Sequence, residues 1–467
     1  MSYTPEEPIA AIATALAPSA LGIIRVSGKN SITLISNVFS RPKALLQAEG
    51  NTMVYGWIIN PANNKEKIDE VMLGVYRAPK SFTGEDMVEI FCHGGTSPVL
   101  AIYNLLIANG FRPAEKGEYS FRAFINGKTD LTKAEAVREI IDSKTDAGRQ
   151  KAAGRLSGSL FTEIDNIKKM LISTLAEIEA EIEYPEDEEA IADSYNPEHL
   201  IDAQKELISL ASTWDCEKLY QDGAKIVLCG ATNAGKSSLF NIMLKEDRSI
   251  VSDIHGTTRD WIESWISFDG VPARLFDTAG LRETEDTVEQ IGVERTLELT
   301  EDADLILYLI DSTKGPSKDD EQMITKLLQK NSNTPVILAW NKIDLTPEYT
   351  KYSEMIPHKE KLFGTVGISA KKGLGVSDLT GEVKKALTIG LHTDSNQTGL
   401  GSERQKKAVE EALDSINHAL IAPQMDLPMD AVIQDIEDAI SFLGEITGEV
   451  SPDDILGNIF SRFCVGK

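Results

Sequence analysis

Apolar residues in the first part of the chain cluster in short runs that are typical of strands. The runs are LGIIRVSG at residues 21–28, MVYGWII at 53–59, EVMLGVYRA at 70–78 and MVEIFCHGG at 87–95. The segment SPVLAIYNLLIANG, which ends at Gly110, has the pattern of a helix. We therefore predict that residues 1–120 form a separate α+β domain.

The period of the apolar residues changes from about Thr132 onward, where they recur at steps of three and four. The recurring residues are Ile164, Ile167, Leu171, Leu175, Ile178 and Ile182. Such a stripe is one face of an amphipathic helix and is far more typical of a packed core than of a cofactor site. The pattern stops at Tyr184, before the acidic run PEDEE, and resumes from about Arg404 after the linker HTDSNQTGLGSE. We predict a helical domain in two segments, 121–220 and 389–467, with a domain at 221–388 inserted between them.

A phosphate-binding loop is predicted at GATNAGKS, residues 230–237. The apolar run KIVLC precedes it and the helical pattern SLFNIML follows it, which gives the order strand, loop, helix. Backbone N–H groups of the loop would surround the phosphates, Lys236 would neutralise β/γ oxygens, and the Ser237 hydroxyl would hold Mg²⁺. The alternative is a glycine-rich turn that matches by accident.

Four further motifs follow in the order that a guanine-nucleotide switch requires. They are GTTRD at 256–260, DTAG at 277–280, NKID at 341–344 and SAK at 369–371, and the last three follow predicted strands. Ligands of open α/β sheets bind at that edge of the sheet. The Asp344 carboxylate can accept two hydrogen bonds from guanine, whereas adenine lacks this donor pair. Since an unpaired buried polar group costs about 1–3 kcal/mol, GTP is favoured over ATP.

The motifs define the predicted GTP contacts. These are Asn233, Ala234, Gly235, Lys236, Ser237, Ser238, Ser252, Asp253, Ile254, His255, Gly256, Thr257, Thr258, Asp277, Thr278, Ala279, Gly280, Asn341, Lys342, Ile343, Asp344, Ser369, Ala370 and Lys371. Within this set, Ser237 and Thr258 are the predicted Mg²⁺ ligands, and Asp277 would reach the metal through water. Asn341 and Lys342 would brace the loop and cover the base.

Leu281 follows DTAG, at the position where Ras-like switches have the glutamine that orients the attacking water. An apolar side chain cannot orient water, so hydrolysis requires another water-positioning group and another source of positive charge. The candidates on the following polar segment are Arg282, Glu283, Glu285, Asp286, Glu289 and Arg295. Each of them is more often a solvated surface residue than a catalyst.

Composition narrows the function classes. The chain has 467 residues, enough for about three domains, and a formal net charge of −26. This charge disfavours a protein that grips nucleic acid through a broad basic surface, so an RNA role needs a local patch or a basic partner. The four cysteines are scattered, and no apolar run reaches the ~18 residues of a membrane span. A cytoplasmic location is the simplest expectation.

The chain resembles the MnmE/TrmE family of tRNA-modification GTPases across essentially its full length. The motifs that carry the resemblance are SFTGEDMVEIFCHGG at 81–95, GEYSFRAFINGKTDLTKAEA at 117–136, GTTRD, and the terminal FCVGK at 463–467. FCVGK is the sharpest of these, because its residues have no obvious packing role at a chain end, where disorder is usual. The resemblance implies a P-loop GTPase domain inserted in an all-helical domain, preceded by an α+β folate-binding domain.

The family resemblance also implies a reaction and partners. With a partner that uses flavin (FAD) and NADH, the enzyme would add an aminomethyl or carboxymethylaminomethyl group at C5 of the wobble uridine of certain tRNAs. A 5-formyl- or methylene-tetrahydrofolate would donate the one-carbon unit, and GTP hydrolysis would drive conformational change. A homodimer built through the N-terminal domains, within a heterotetramer with the partner, is implied as well.

Site residues follow from the same resemblance. The implied folate-binding residues are Arg25, Glu89, Lys128 and Lys467. The implied K⁺ ligands are the Asn233 side chain and the backbone carbonyls of Ser252, Ile254 and Thr257. The implied catalytic set is Glu289 as the water-positioning carboxylate, Arg282 near it, Lys236, and the tail cysteine Cys464. A bound K⁺ would neutralise charge in place of an arginine finger.

One segment departs from the family pattern and leaves alternatives open. The first loop reads ATALAPSALG at residues 13–22, where the family is rich in proline and glycine, and the Cβ atoms of Ala17, Ser19 and Ala20 restrict its backbone. Without folate binding, the chain would be a nucleotide-gated structural dimer. A ribosome-assembly or signalling switch without one-carbon chemistry is the other alternative, although FCVGK and the first domain fit only the modification enzyme.

Overall fold

The computed structural model describes residues 7–183, 197–245, 262–277, 297–330, 334–346, 348–391, 399–425, 427–450 and 453–466. The chain divides into two compact units. Unit 1 comprises Met1–Arg138, Leu156–Ala203 and Glu411–Lys467. Unit 2 comprises Glu139–Arg155 and Gln204–Glu410.

Unit 1 contains a six-stranded sheet. Its strands are β1 (Ile9–Ile12), β2 (Ser19–Ser27), β3 (Thr52–Asn60), β4 (Glu66–Tyr76), β5 (Met87–Gly94) and β6 (Arg112–Pro113). They lie in the order β3-β4-β5-β2-β1-β6, antiparallel except for the pair β1 and β6. The apolar runs of the sequence predict β2 to β5, whereas the short strands β1 and β6 are found only in the structure.

One face of this sheet is covered by helices, whereas the other is open over β3 and β4 and buried near β1. The covering helices are α1 (Ser31–Asn37), α2 (Pro42–Gln47) and α3 (Thr96–Ala108). Beneath them, Leu73 and Ile90 are fully buried. Because successive side chains of a strand point to opposite faces, Met53, Tyr55 and Met72 lie on the other face, where they are 52%, 49% and 38% exposed. The open face therefore presents large apolar side chains.

Helices dominate the remainder of the described chain. They are α4 (Glu118–Ile125), α5 (Leu131–Asp142), α6 (Asp146–Leu156), α7 (Ser159–Glu183), α8 (Glu198–Ser212), α9 (Trp214–Asp222), α10 (Lys236–Lys245), α11 (Lys318–Lys330), α12 (Val376–Thr388), α13 (Glu403–Ile421), α14 (Met429–Thr447) and α15 (Asp453–Ser461), with short 3₁₀ segments at Tyr349–Met355, Lys359–Lys361 and Ala422–Met425. In unit 1, α7 packs against α14. Ile164, Ile167 and Leu171 of α7 are fully buried, as their three- and four-residue spacing predicts.

Unit 2 contains the second six-stranded sheet. Its strands are β7 (Ala224–Gly230), β8 (Ile262–Phe268), β9 (Val271–Asp277), β10 (Leu305–Asp311), β11 (Val336–Asn341) and β12 (Gly364–Gly367), in the order β12-β11-β10-β7-β9-β8. All neighbours are parallel except β8 and β9. Helices α10 and α12 contribute to the core on one face, and α11 contributes to the core on the other. The carboxyl ends of the parallel strands therefore share one edge, where ligands of such sheets bind.

A buried cluster of charges joins separate segments of unit 2. The Arg155 guanidinium on α6 donates hydrogen bonds to Glu139 of α5 at 2.7 Å and to Glu217 of α9 at 2.8 Å. It also donates to the Gly399 carbonyl at 3.2 Å. Lys151 pairs with Glu217 at 2.6 Å. Arg155 and Glu217 are each 2% exposed, so these charges depend on one another for solvation.

The segment beyond the inserted region is part of this cluster rather than a free linker. A Cβ atom on Gly399 would lie 2.4 Å from a Glu217 oxygen, and one on Gly401 would lie 2.1 Å from a Glu139 oxygen. Leu400 between them is fully buried. The composition of this segment is typical of a linker, but its last residues fit closely over the paired charges. The cluster thus holds α9, which leads into β7, beside the segment that precedes α13.

Replacement of Arg155 by Met should lower the free energy of unfolding by about 3 kcal/mol, because Glu139 and Glu217 lose a buried charge partner. Urea unfolding monitored by circular dichroism measures this change. The matched control is Arg149→Met on the same helix, since Arg149 is exposed and pairs only across the surface with Asp146 at 3.0 Å. That control should cost less than about 1 kcal/mol. Equal losses in both variants would contradict the assigned role of the cluster.

Candidate functional site

The loop between β7 and α10 has a backbone that few residue types could adopt. Gly230, Asn233 and Gly235 have φ values of 133°, 64° and 104°, all in the left-handed region that favours glycine. A Cβ atom on Gly235 would lie 2.0 Å from the Asn341 side-chain nitrogen. The glycine is therefore needed both for the turn and for the close approach of Asn341.

Lys236 and Ser237 begin α10, directly after the loop. The Lys236 ammonium is nearly buried and donates to the carbonyls of Gly230 and Ala231 at 2.7 and 2.9 Å. Ser237 and Ser238 are exposed at the helix start. A helix N-terminus next to a left-handed loop is an anion-binding arrangement, and a serine hydroxyl beside it suits Mg²⁺. These residues therefore fit the phosphates of a nucleotide and a metal ion bound to them.

Asn341 connects the phosphate loop to the last motif. Its side-chain nitrogen donates to the Ala234 carbonyl at 2.7 Å, and its side-chain oxygen accepts from the Ala370 N–H at 2.9 Å. The residue is 2% exposed. Since Ala370 lies in the SAK motif, a single buried amide holds three sequence motifs in fixed positions.

Lys342 lies beside the same loop and has a partner that the sequence analysis missed. Its ammonium donates to the Asn233 carbonyl at 3.0 Å and pairs with Asp311 at 2.6 Å. Asp311 ends β10, as Asn341 ends β11. Hydrogen bonding to Lys342 and Thr313 lowers the pKa of Asp311 despite the opposing effect of burial. A polar residue that ends an apolar strand at the ligand edge is a signal that could have identified Asp311.

Asp344, the residue predicted to read the base, is held as an anion. A hydrogen bond from Ser369 lowers the pKa of its carboxyl, and Lys372 lowers it further. The Lys372 ammonium is 3.4 Å from the carboxylate, whose side chain is only 7% exposed. Lys372 follows SAK and was not predicted. An ionised carboxylate accepts hydrogen bonds only, which suits the two donors of guanine.

Several predicted residues lie outside the described residues. These are Ser252, Asp253, Ile254, His255, Gly256, Thr257, Thr258, Thr278, Ala279, Gly280, Arg282, Glu289 and Lys467. Of Asp277, only the backbone at the end of β9 is described, where it pairs with Leu228. The structure therefore brings together the residues of GATNAGKS, NKID and SAK, and the switch segments stay predictions.

A second constellation lies in unit 1, on the open face of its sheet. The Arg25 guanidinium donates through Nε and Nη2 to one Glu89 oxygen, at 2.9 and 2.7 Å. The other Glu89 oxygen accepts from the Tyr76 hydroxyl at 3.3 Å. Burial, followed by the Glu89 charge, raises the pKa of Tyr76, so the hydroxyl keeps its proton. Glu89 thus retains one lone-pair site, on the oxygen that accepts from Tyr76, for a ligand that donates a hydrogen bond.

The C-terminal tail is docked against this pair. Arg25 also donates through Nη1 to the Gly466 carbonyl at 3.1 Å, and Val465 forms a β-bridge with Lys116. The Gly117 N–H donates to the Cys464 carbonyl at 3.4 Å. Phe463 is 4% exposed and packs against Phe460, with 5.5 Å between the ring centroids and the rings tilted by 45°. The expectation that this pentapeptide has no packing role is therefore wrong for Phe463, which belongs to an apolar cluster.

Lys128 lies against the loop at residues 81–86, which also contacts Arg25. A Cβ atom on Gly84 would lie 3.3 Å from Lys128 Cε, which places the lysine stem against this loop. Phe82 of the loop lies over Arg25, with its ring centroid 5.6 Å from the guanidinium carbon. The structure thus brings Arg25, Glu89 and Lys128 to one loop and one face. The sequence analysis assigned no role to Tyr76, which lies in an apolar run, or to Phe82, which lies in the motif at 81–95.

The loop at residues 13–22, which departs from the family pattern, begins with two hydrogen bonds to Ile23. The Ala13 N–H donates to the Ile23 carbonyl at 2.8 Å, and the Ile23 N–H donates to the Thr14 hydroxyl at 3.1 Å. A Cβ atom on Gly22 would lie 2.6 Å from a Val99 methyl group. The close approach that requires glycine is therefore at Gly22, the position that the chain retains.

Among the described residues, no helix combines the length and the apolar character that a membrane crossing requires. Over the same residues, no group of three or more His, Cys, Asp and Glu side chains is arranged to hold a metal ion.

Comparison with known proteins covers the whole chain. A family model described as GTP-binding protein TrmE N-terminus matches residues 8–128, and one described as MnmE helical domain matches residues 131–464. A tRNA modification GTPase MnmE of Treponema denticola is 52% identical over 474 residues, covering 100% of this chain and 99% of the relative. The protein of that name in Desulforamulus reducens is 40% identical, covering 99% and 100%. Among solved structures, Aquifex aeolicus Era bound to GDP.AlF4- is 28% identical, covering 41% of this chain and 66% of that chain, with a TM-score of 0.30.

Cys464 should be the one thiol that reacts rapidly in the native protein. It is exposed, whereas Cys92, Cys216 and Cys229 are buried. Burial raises the pKa of Cys92 to about 11 and that of Cys229 to about 12, so these thiols stay protonated near neutral pH. A chromogenic disulfide reagent should therefore release one fast equivalent.

Replacement of Cys464 by Ser should remove this fast phase, and Cys92→Ser should leave it in place. A fast equivalent that persists in the Cys464→Ser variant would show that a buried thiol is accessible.

Proposed function

This chain belongs to the MnmE family of tRNA-modification GTPases, and we propose its function on that basis. It is a GTP-hydrolysing enzyme that acts in tRNA modification and uses GTP with Mg²⁺. Its specific task in this proposal is to add an aminomethyl or carboxymethylaminomethyl group at C5 of the wobble uridine. A partner that uses FAD and NADH shares the reaction.

The proposed domain organisation links nucleotide chemistry to movement. A G domain at 221–388 interrupts a helical domain formed by residues 121–220 and 389–467, after an N-terminal domain at 1–120. An inserted domain has its entry and its exit in one neighbouring body, so a change in its shape moves both attachments together. The buried Arg155 cluster supports this organisation, because it fixes α9 and Gly399 to the same guanidinium.

The residues of the nucleotide site have separate tasks in this proposal. Lys236 and the loop N–H groups bind the phosphates, and Ser237 with Thr258 would hold Mg²⁺, which neutralises charge on the β/γ oxygens. Asp344 accepts the two guanine hydrogen bonds. Asn341 and Lys342 hold the phosphate loop in its binding conformation, which is supported by their bonds to Ala234 and Asn233.

Hydrolysis without a glutamine after DTAG needs another arrangement. We assign water positioning to Glu289, with Arg282 near it, and charge neutralisation to K⁺. Asn233 would offer its side chain to the ion, together with the carbonyls of Ser252, Ile254 and Thr257. The exposed Asn233 side chain on a left-handed backbone is compatible with such a ligand, since the turn projects it away from the sheet core. A monovalent cation there supplies fixed positive charge as the γ-phosphate leaves.

The hydrogen bond from Arg25 to the Gly466 carbonyl is the observation that carries the modification function. It joins the tail to Arg25 and, through Arg25, to Glu89, two of the implied folate-binding residues. Glu89 would accept from the amino edge of a reduced pterin, while Lys128 and Lys467 would attract folate carboxylates. When bound, the folate supplies a one-carbon unit. Cys464, exposed on the same tail, is proposed to take part in this chemistry.

The proposed assembly is a homodimer through the N-terminal domains, completed to a heterotetramer by the flavin-dependent partner, and tRNA is its substrate. The open sheet face with Met53, Tyr55 and Met72 supports a subunit contact, since large exposed apolar patches usually mark interfaces. The net charge of −26 supports a contribution of basic surface from the partner. The cytoplasm is the proposed location.

GTP hydrolysis should be at least about tenfold faster in K⁺ than in Na⁺ at equal ionic strength, because the smaller ion fits the proposed ligands poorly. Release of inorganic phosphate at saturating GTP and Mg²⁺ measures the rate. Replacement of Asn233 by Ala should remove most of the K⁺ advantage while GTP binding stays measurable. Equal rates in the two salts would remove K⁺ from the mechanism.

Deletion of residues 464–467 should abolish the wobble-uridine modification and leave GTP hydrolysis in unit 2 near its normal rate. Mass spectrometry of tRNA nucleosides from cells that carry only the truncated protein measures the modification. Phe463 is kept in the deletion because it is buried. A normal level of modified wobble uridine in such cells would exclude the tail from the reaction. A normal level in cells that lack the whole protein would favour a switch that only binds partners.

A further inference from the structure

We propose that Phe82 is the stacking surface for the bicyclic ring of the reduced folate, and that Arg25 is a positioning residue that holds Phe82, Glu89 and the tail around that ring. This inference rests on the proposed folate function and adds the residue that reads the flat face of the ligand. The resemblance to known sequences assigns no role to Phe82.

Phe82 is exposed on a loop that is otherwise held firmly. Its side chain is 44% exposed, whereas its neighbour Thr83 is fully buried and its hydroxyl is 2.6 Å from that of Ser27. Glu85 pairs with the fully buried Arg122 at 3.0 Å. Before Phe82, the Ser81 hydroxyl donates to the Glu85 carbonyl, so the loop backbone is held on both sides of the exposed ring. A single exposed apolar side chain is ordinary in a folded protein, so the neighbours of this ring decide whether it forms a binding surface.

Arg25 determines the orientation of this ring. Its guanidinium lies between two aromatic rings, with its central carbon 5.6 Å from the Phe82 centroid and 5.7 Å from the Tyr119 centroid. In the plane of the guanidinium, hydrogen bonds go to Glu89 and to the Gly466 carbonyl. The cation thus contacts Phe82 through its face and Glu89 through its edge. The Glu89 carboxylate and the exposed Phe82 ring therefore both contact the planar guanidinium of Arg25.

This arrangement matches a pterin in two respects. A reduced pterin has an amino edge that donates hydrogen bonds, which Glu89 can accept, and a planar pyrimidine ring, on which a phenyl ring can stack. Lys128, whose stem lies against Gly84 of the same loop, suits the carboxylates at the other end of a folate. The p-aminobenzoyl ring is the competing stacking partner, but the proximity of Phe82 to the Arg25–Glu89 pair favours the bicyclic ring.

The test compares Phe82→Ala, Phe82→Tyr and the control Leu46→Ala in the full-length protein. Leu46 is similarly exposed, at 45%, but lies on α2 on the covered side of the sheet. Isothermal titration calorimetry is performed with three probes: 5-formyltetrahydrofolate, tetrahydropterin and p-aminobenzoylglutamate. Thermal unfolding identifies any variant that fails to fold, and size-exclusion chromatography with light scattering gives the oligomeric state of each.

Phe82→Ala should weaken binding of 5-formyltetrahydrofolate and of tetrahydropterin by the same factor, about 3- to 10-fold, as expected for the loss of one aromatic stack. Binding of p-aminobenzoylglutamate should not change, and Phe82→Tyr and Leu46→Ala should bind like the parent protein. Unchanged pterin affinity, a loss confined to p-aminobenzoylglutamate, or a loss that follows dissociation of the dimer would overturn the inference while leaving folate binding in place. Absence of 5-formyltetrahydrofolate binding by the parent protein would instead refute the proposed folate function.

Discussion

Two buried arginines, each neutralised by carboxylates, hold separate segments of the described chain together. Arg122 is fully buried and pairs with Glu85 and Glu118, which ties the loop at 81–86 to α4. Arg155 pairs with two carboxylates and binds the segment before α13. A planar guanidinium with five N–H donors can satisfy several acceptors at once, which a lysine ammonium cannot do in one plane. Removal of such a cation leaves buried carboxylates without a partner, so it should lower the stability of the fold strongly.

Ion pairs within the chain reduce the positive charge that it can offer to RNA. Arg25, Arg122, Arg155 and Lys342 are all engaged with carboxylates of the same chain. Positive charge that is already neutralised internally contributes little to the attraction of a phosphate backbone. The chain carries 73 acidic and 47 basic side chains, so its unpaired surface charge is predominantly negative. A tRNA that binds here would need a local group of unpaired cations or the surface of a partner, which agrees with the assembly proposed for this family member.

The sequence predicted the parts of the structure that depend on local pattern. Apolar runs predicted strands β2 to β5, β7, β9, β11 and β12, and the glycine and lysine spacing predicted the phosphate loop. Both depend on residues that are close together in the sequence. The pairs that complete the sites were not predicted. Asp311 with Lys342, Lys372 with Asp344, and Phe82 with Arg25 are set by strand register and loop path, and no spacing rule reports which charged residue faces which. The fully buried Leu400 shows the same limit, since a linker-like composition does not reveal a buried contact.

The docked tail holds residues 463–466 in defined positions. Phe463 is anchored in an apolar cluster, and Gly466 is bound through its carbonyl, so the exposed Cys464 between them is held at both sides. A thiol on a free chain end would sample many positions and would lose effective concentration at any one of them. Here the same guanidinium that orients Glu89 fixes the residue two positions after the cysteine. Any change that releases Arg25 from Gly466 would therefore displace the thiol from Glu89, so that binding and chemistry at the proposed folate site would fail as one unit.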